Sequence, residues 1–242
     1  MKRISICLSV YGFSDYLSAQ IDSIIAQSTV ISEIIVVEDF SGLASPADYL
    51  EEVFREKNIR LVYLKLPRNV GPAESFRRGI TASSGDVIYL CDHDDIWEPN
   101  RIKNTIEHHS DASLVVANGS IFNSERKVRQ RCIYPELNLS FLKSLYKNAV
   151  VGATLSVDGM YARQLAQVTS FYPMHDWVIT SYSLLTGRRI AFVDECLIHY
   201  RRHSGTFTGG VRKSIFTKLK YRSVLLTSLM IAYFKLHCFK LR

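Results

Sequence analysis

The sequence predicts an α/β fold with a mostly parallel central sheet flanked by helices, and three observations carry that expectation. Short runs rich in Ile and Val recur through the first half of the chain, and segments with helical spacing of apolar residues lie between them. Hydrophobic residues make up 47% and charged residues 22% of 242, with only 12 Gly and 6 Pro, which excludes disordered, collagen-like and low-complexity chains and leaves ample material for a core. Strands alternating with helices in this way make βαβ units with right-handed crossovers.

The first strand is expected at residues 4–10, where Ile4, Ile6, Leu8 and Val10 alternate with smaller residues directly after Met-Lys-Arg, a start too short and too polar to read as a leader peptide. Leu17, Ile21, Ile24 and Ile25 place a helix next, with Ser14 as its expected cap. A second strand follows at 34–37, then a helix opened by Pro46 and carrying Tyr49, Leu50, Val53 and Phe54. A strand at 59–64, a helix at 73–82 and a strand at 87–90 complete the regular half. Beyond it the pattern suggests helices near 100–109, 139–146, 160–167 and 176–185, with strands at 114–117, 153–157 and 190–193. With no internal repeat or linker, residues 1–210 read as one domain.

In such a sheet, ligands gather at the carboxyl ends of the strands. Tyr11-Gly12 follows the first strand, Glu38-Asp39-Phe40-Ser41 the second, Pro67-Arg68-Asn69-Val70-Gly71 the third and Asp92-His93-Asp94-Asp95 the fourth. Three carboxylates within four residues repel one another unless something neutralises them. A hard divalent cation, Mg²⁺ or Mn²⁺, would do so, with substrate phosphates completing its ligands. The bland alternative is an acidic turn in which Asp95 caps the next helix. Glu38 and Asp39 suit hydrogen bonds from a base or ribose, or a simple turn; Arg68 suits a phosphate or a stacked base. A Walker-type loop and GxGxxG are both absent, which weakens kinase-like and dinucleotide-binding readings. His108-His109, with Glu107 and Asp111 beside them, read as a solvated helix end rather than a metal site.

Charge is unevenly placed along the chain. Residues 196–242 carry ten Lys or Arg and no acid, so residues 1–195 hold twenty cations against all 23 acids. Residues 211–242 interleave those cations with Ile215, Phe216, Leu219, Leu226, Met230, Phe234 and Phe239. The longest uncharged run, residues 223–234, is 12 long, short of the roughly 20 that a spanning helix needs. This tail reads as a basic amphipathic helix that lies on an anionic membrane surface or packs on the domain or a partner. The five cysteines are scattered without a CxxC pair, which fits a reducing compartment better than a disulfide framework.

The motifs taken in order resemble the family 2 inverting glycosyltransferases of the GT-A fold. They are Tyr11, Glu38-Asp39-x-Ser41, Arg68-Asn69-x-Gly71, Gly79, Gly85-Asp86 and Asp92-x-Asp94-Asp95-x-Trp97-x-Pro99. His175-Asp176-Trp177, Asp194-Glu195-x-Leu197 and Tyr200-Arg201-x-His203 resemble the bacterial rhamnosyltransferase-like branch. Glu38 and Phe40 depart from the usual Asp and Gly.

The resemblance implies a GT-A nucleotide-diphospho-sugar transferase fold. It places Asp92 near the donor ribose and the metal, Asp94 on the metal that bridges the diphosphate, and Asp95 beside the donor sugar. Glu38 and Asp39 would lie near the base, with Tyr11 and Arg68 lining the same pocket. Asp176 would be the general base. His203 would touch diphosphate or metal, Arg201 the phosphate, and Asn148, Gly152 and Thr154 would frame the acceptor side. Ser204-Gly205-Thr206 and Gly209-Gly210 read as a closing loop. The expected activity is transfer of a sugar, rhamnose on the resemblance, from a nucleotide diphosphate to a hydroxyl of a lipid-linked glycan. It would take place at the cytoplasmic, inner face of a membrane, and no nucleic acid is expected as partner. The alternatives are a nucleotidyltransferase, which needs a Gly-rich phosphate loop where only Gly12 stands, and a non-catalytic membrane-tethered scaffold of the same fold.

Overall fold

The computed structural model describes residues 2–40, 42–123, 125, 127–203 and 214–238. Ser41, the proposed closing loop from Ser204 to Gly210, and the tail residues Arg212, Lys213, Phe239, Lys240 and Arg242 lie outside the described residues.

The regular half runs β1 (Ile4–Val10), α1 (Asp15–Ile25), β2 (Glu33–Glu38), α2 (Ala47–Glu56), β3 (Arg60–Lys65), α3 (Pro72–Ala82) and β4 (Val87–Asp92). A short β5 (Ile96–Trp97) and α4 (Arg101–Ile106) come next. The second half holds β6 (Leu114–Asn123), β7 (Val128–Gln130), α5 (Phe141–Tyr146), β8 (Leu155–Asp158), α6 (Gly159–Val168), α7 (His175–Leu185), β9 (Ile190–Arg202) and α8 (Ile215–Tyr233). The strands join in the order β3-β2-β1-β4-β8-β6-β9-β5, with β7 paired to β6. β1 is parallel to β2 and β4, β2 to β3, and β6 to β9, whereas β8 runs antiparallel between β4 and β6.

The strands are apolar on both faces because both faces are covered. Ile4, Ile6 and Leu8 point to a core completed by Leu17, Ile21 and Ile24 of α1 and Leu50 and Phe54 of α2. Cys7, Ile88 and Leu90 point to the other side, where Phe76 of α3, Tyr161 and Leu165 of α6, Val178 of α7 and Leu225 and Leu229 of α8 meet them. The two-residue alternation of a strand thus sorts one sequence run into two cores.

Several local expectations change. Ser14 has the extended backbone of a cap, yet its side chain makes no cap hydrogen bond. α4 is capped at Asn100, not by Asp95. His109 does not sit in solvent: it is buried, its Nε2 lies 2.8 Å from Ser156 Oγ, and burial lowers its pKa to about 4. β9 is far longer than the four residues expected. Bulges against β6 at Asn118 absorb Asp194, Glu195 and Leu197, so the strand continues to Arg202. Asn118 donates its amide to Asp194 at 2.7 Å, and Glu195 accepts from Asn100 and Asn104 at 3.0 and 2.6 Å. Polar residues beyond the expected end of the strand therefore pin its continuation.

Candidate active site

The candidate residues meet at the carboxyl edge of β1, β2 and β4, where the parallel strands end together. Asp92 closes β4 and pairs with Ser9 near the end of β1. Its carboxyl pKa is raised, first by burial, then by the charges of Asp94 and Asp176. Asp95 is fully buried: its Oδ1 accepts the Arg201 N–H at 2.9 Å, and its Oδ2 has no hydrogen-bond partner among the described residues. Burial and the two neighbouring aspartates push its pKa well up.

β9 delivers Arg201 and His203 to the same place. The Arg201 Nε donates to the Asp94 carbonyl at 2.6 Å, and its guanidinium lies 4.4 Å from the rings of both Tyr16 and Phe122. His203 Nε2 donates to Asp94 Oδ2 at 2.8 Å, and its ring lies 5.1 Å from that of Tyr16. His199 spans Ser120 Oγ and Glu98 Oε1 at 2.7 and 2.6 Å, tying β6, β9 and the segment after β5 together. Tyr16, Phe122 and His199 were not singled out in the sequence. Arg101 was also missed: it is buried beneath the aspartate turn, 3.8 Å over the Trp97 ring, and donates to the Ala153 carbonyl at 2.6 Å.

Asp176 enters from the opposite core, in the first turn of α7, where residues 175–183 are all buried. Its Oδ1 accepts the Trp177 N–H at 2.7 Å, and the Asn148 side chain and the Gly152 N–H also favour its ionised form. Burial outweighs these bonds and lifts its pKa to about 6. Because Met174 occupies the cap position, Asp176 is not the cap of α7. His175 packs on Phe76 with ring centroids 3.9 Å apart and is buried neutral, its pKa lowered to about 3. A Cβ at Gly152 would collide with the His175 ring. Gly152→Ala is therefore expected to cost about 1–3 kcal/mol, the range for overpacking a core. Urea unfolding checks this, and a change under 0.5 kcal/mol would show that the ring can yield.

The residues at the ends of β1 to β3 are arranged less uniformly. The Asp39 carboxylate accepts the Val70 and Gly71 N–H groups, both at 2.8 Å, so it fixes the loop that opens α3, where Gly71 adopts φ +79°. Glu38 turns away to accept from Tyr63 OH and Ser45 Oγ, each at 2.8 Å, with Lys65 Nζ at 3.7 Å. Tyr11 is 47% exposed at the end of β1, and Arg68 is exposed on the loop after β3. Asp92, Asp94, Asp95, Arg201, His203 and Asp176 are thus gathered, while Tyr11, Asp39 and Arg68 stand at the ends of β1 to β3 and Glu38 is turned toward Ser45 and Tyr63.

The donor chemistry suits a hard cation. Asp92 and Asp94 offer carboxylate oxygens, no lysine or arginine forms an ion pair with either among the described residues, and His203 lies against Asp94. The described residues hold no cluster of three or more His, Cys, Asp or Glu ready to take a metal.

A doubly covered, mostly parallel sheet with an acidic carboxyl edge defines a protein of the GT-A-like nucleotide-sugar transferase fold. A crystal structure of S. aureus TarS in complex with UDP-GlcNAc shares it, with a TM-score of 0.68 over 96% of this chain and 73% of that one at 14% identity. Residues 5–163 match the family described as Glycosyl transferase family 2, and the chain belongs to that family. An uncharacterized glycosyltransferase of Nostoc sp. is 30% identical over 115 residues, 47% of this chain and 34% of that protein. The succinoglycan biosynthesis protein ExoO of Rhizobium meliloti is 32% identical over 114 residues, 47% of this chain and 32% of its own length. The chain thus spans about a third of the length of these curated relatives.

Proposed function

We propose that the chain is an inverting glycosyltransferase that moves a sugar from a nucleotide-diphosphate donor to a hydroxyl of a lipid-linked glycan, at the cytoplasmic face of a membrane. The observation that carries this reading is the convergence of Asp176 with the β4 aspartates: its charge reaches Asp92, yet it arrives from a different element and makes its own hydrogen bonds. One carboxylate group is thereby placed to grip a donor and another to take a proton. ExoO, by its name, serves succinoglycan biosynthesis, and TarS binds UDP-GlcNAc, which supports a nucleotide-sugar donor and a polysaccharide product.

In this mechanism Asp176 receives the acceptor hydroxyl's proton as that oxygen attacks the anomeric carbon, and the bond to the diphosphate breaks on the opposite side. The Trp177 N–H holds the carboxylate in place, and Asn148 favours its ionised form. Arg201, clamped between Tyr16 and Phe122, adds fixed positive charge at the phosphate end of the crevice. Asp92 and Asp94 would hold Mg²⁺ or Mn²⁺, with His203 steadying the Asp94 carboxylate, and the ion would neutralise charge on the departing diphosphate. Asp39 and the Val70-Gly71 turn shape the base end, beside Tyr11, Glu38 and Arg68. Rhamnose is the sugar we propose, from the sequence resemblance around His175-Asp176-Trp177.

A thermal-shift screen of nucleotide sugars with and without Mn²⁺ tests this, because a ligand that binds only the folded state stabilises it by RT ln(1 + [L]/Kd). One donor raising the melting temperature more with Mn²⁺ than without it is the expected result. Failure of every nucleotide sugar under both conditions would overturn the reading; selection of a donor other than a rhamnose nucleotide would overturn only the choice of sugar.

A further inference from the structure

Helix α8 is apolar on two faces. Leu225, Leu229 and Ala232 are buried against the domain, where Thr169 Oγ1 donates to the Ser228 carbonyl at 3.0 Å. Leu219, Leu226, Met230 and Tyr233, spaced i, i+7, i+11 and i+14, form a second stripe and are all exposed. The first stripe explains the packing of α8; in the second, Tyr233 stacks on His237 with ring centroids 4.7 Å apart, while Leu219, Leu226 and Met230 stay exposed.

This outward stripe is continued by a neighbour. On α5, Leu142 and Tyr146 lie one turn apart and are 77% and 69% exposed. Arg222 joins the helices: its guanidinium lies 4.1 Å over the Tyr146 ring and donates to the Tyr146 carbonyl at 3.2 Å. The surrounding charges are of one sign. Lys143, Lys147, Lys218 and Lys220 are exposed around the two helices, and no acid occurs in residues 137–149 or 196–238. A second copy of the chain laid on this face would set lysine against lysine, whereas an anionic lipid surface complements both the charge and the apolar stripe. No helix among the described residues is long and apolar enough to cross a membrane, so the contact is interfacial.

From this geometry we infer that α5 and α8 together form one docking face for anionic lipid, with Leu142, Tyr146, Leu219, Leu226 and Met230 entering the interface. The inference rests on the proposed transfer to a lipid-linked acceptor and adds where that acceptor arrives. α5 lies against the start of α7, where the Trp177 indole N–H donates to the Ser144 carbonyl, so the lipid face and the proposed base Asp176 are one residue from a shared contact. An acceptor anchored in the bilayer would reach the crevice from the α5 side.

Flotation of the full chain with phosphatidylcholine vesicles, with or without 30% phosphatidylglycerol as an assay choice of about one anionic lipid in three, tests the face. Binding is expected only with the anionic lipid and should weaken with salt. The L142S/Y146S variant, which removes no charge and lies outside α8, should lower partitioning about ten-fold, and L219S/M230S similarly. Unchanged thermal melting shows that both variants are folded. Wild-type partitioning by both variants, or burial of Tyr146 in a dimer found by sedimentation, would overturn the inference. Donor binding by thermal shift is read in parallel. Normal vesicle binding without donor binding would sink the glycosyltransferase reading and leave the docking face standing; the reverse result would do the opposite.

Discussion

Replacing Asp176 with asparagine lowers kcat by about two to four orders of magnitude, the range that a positioned general base contributes, while donor affinity stays near that of the parent protein. Asparagine keeps the shape and can still accept the Trp177 N–H, so the loss reports proton transfer rather than collapse of α7. The pH profile gives a second readout. Burial sets the Asp176 carboxyl near 6, above an ordinary aspartate, and only its ionised form accepts a proton. kcat/KM should therefore be flat above pH 7 and fall about ten-fold per unit below pH 6. The residual rate of the variant should lack that limb. Turnover within a few-fold of the parent, or an acidic limb that survives in the variant, would remove Asp176 from the chemistry.

The second large effect is expected at Asp94. Asp94→Asn should weaken Mn²⁺-dependent donor binding by about 100-fold, the upper end of what even indirect disturbance of a metal site costs, with titration calorimetry as the measurement. The same change should leave the ligand-free protein as stable as before or more so, because it removes one of the charges that push the Asp92 and Asp95 pKa values up. That pairing separates loss of a cation from loss of the fold. Unaltered donor affinity with Mn²⁺ present would exclude Asp94 from the site.

What could be read in advance follows from how far apart the determinants lie in the chain. β1 to β4 and the helices between them were legible because each buries its own apolar period, and Asp92 to Asp95 stood out because like charges rarely crowd without a purpose. The pairing of Asp94 with His203, 109 residues away, depends on the bulged course of β9, which no local period encodes. The Arg201 clamp depends on Tyr16 and Phe122, which in sequence look like any other core aromatics. Glu38 reads as a base-pocket acid, yet Tyr63 and Ser45 engage its carboxylate, partners set by strand neighbours rather than by the motif. Helix α8 was hard for another reason: a second, exposed apolar stripe about 100° around the helix from the buried one widens and blurs the one-sided period that marks an ordinary surface helix.

The bulged β9 strand carries a consequence for how this chain can vary through descent. Side chains alternate across a strand with a period of two, so one residue gained or lost between Cys196 and His203 would exchange the places of Arg201 and Arg202 and carry the imidazole away from Asp94. His199, Arg201 and His203 are held there by their partners and the other positions are freer to drift, but the length of the stretch is fixed. Natural insertions and deletions among close homologues should therefore collect in exposed connections such as the one between α2 and β3, leaving the spacing from Cys196 to His203 as a molecular ruler.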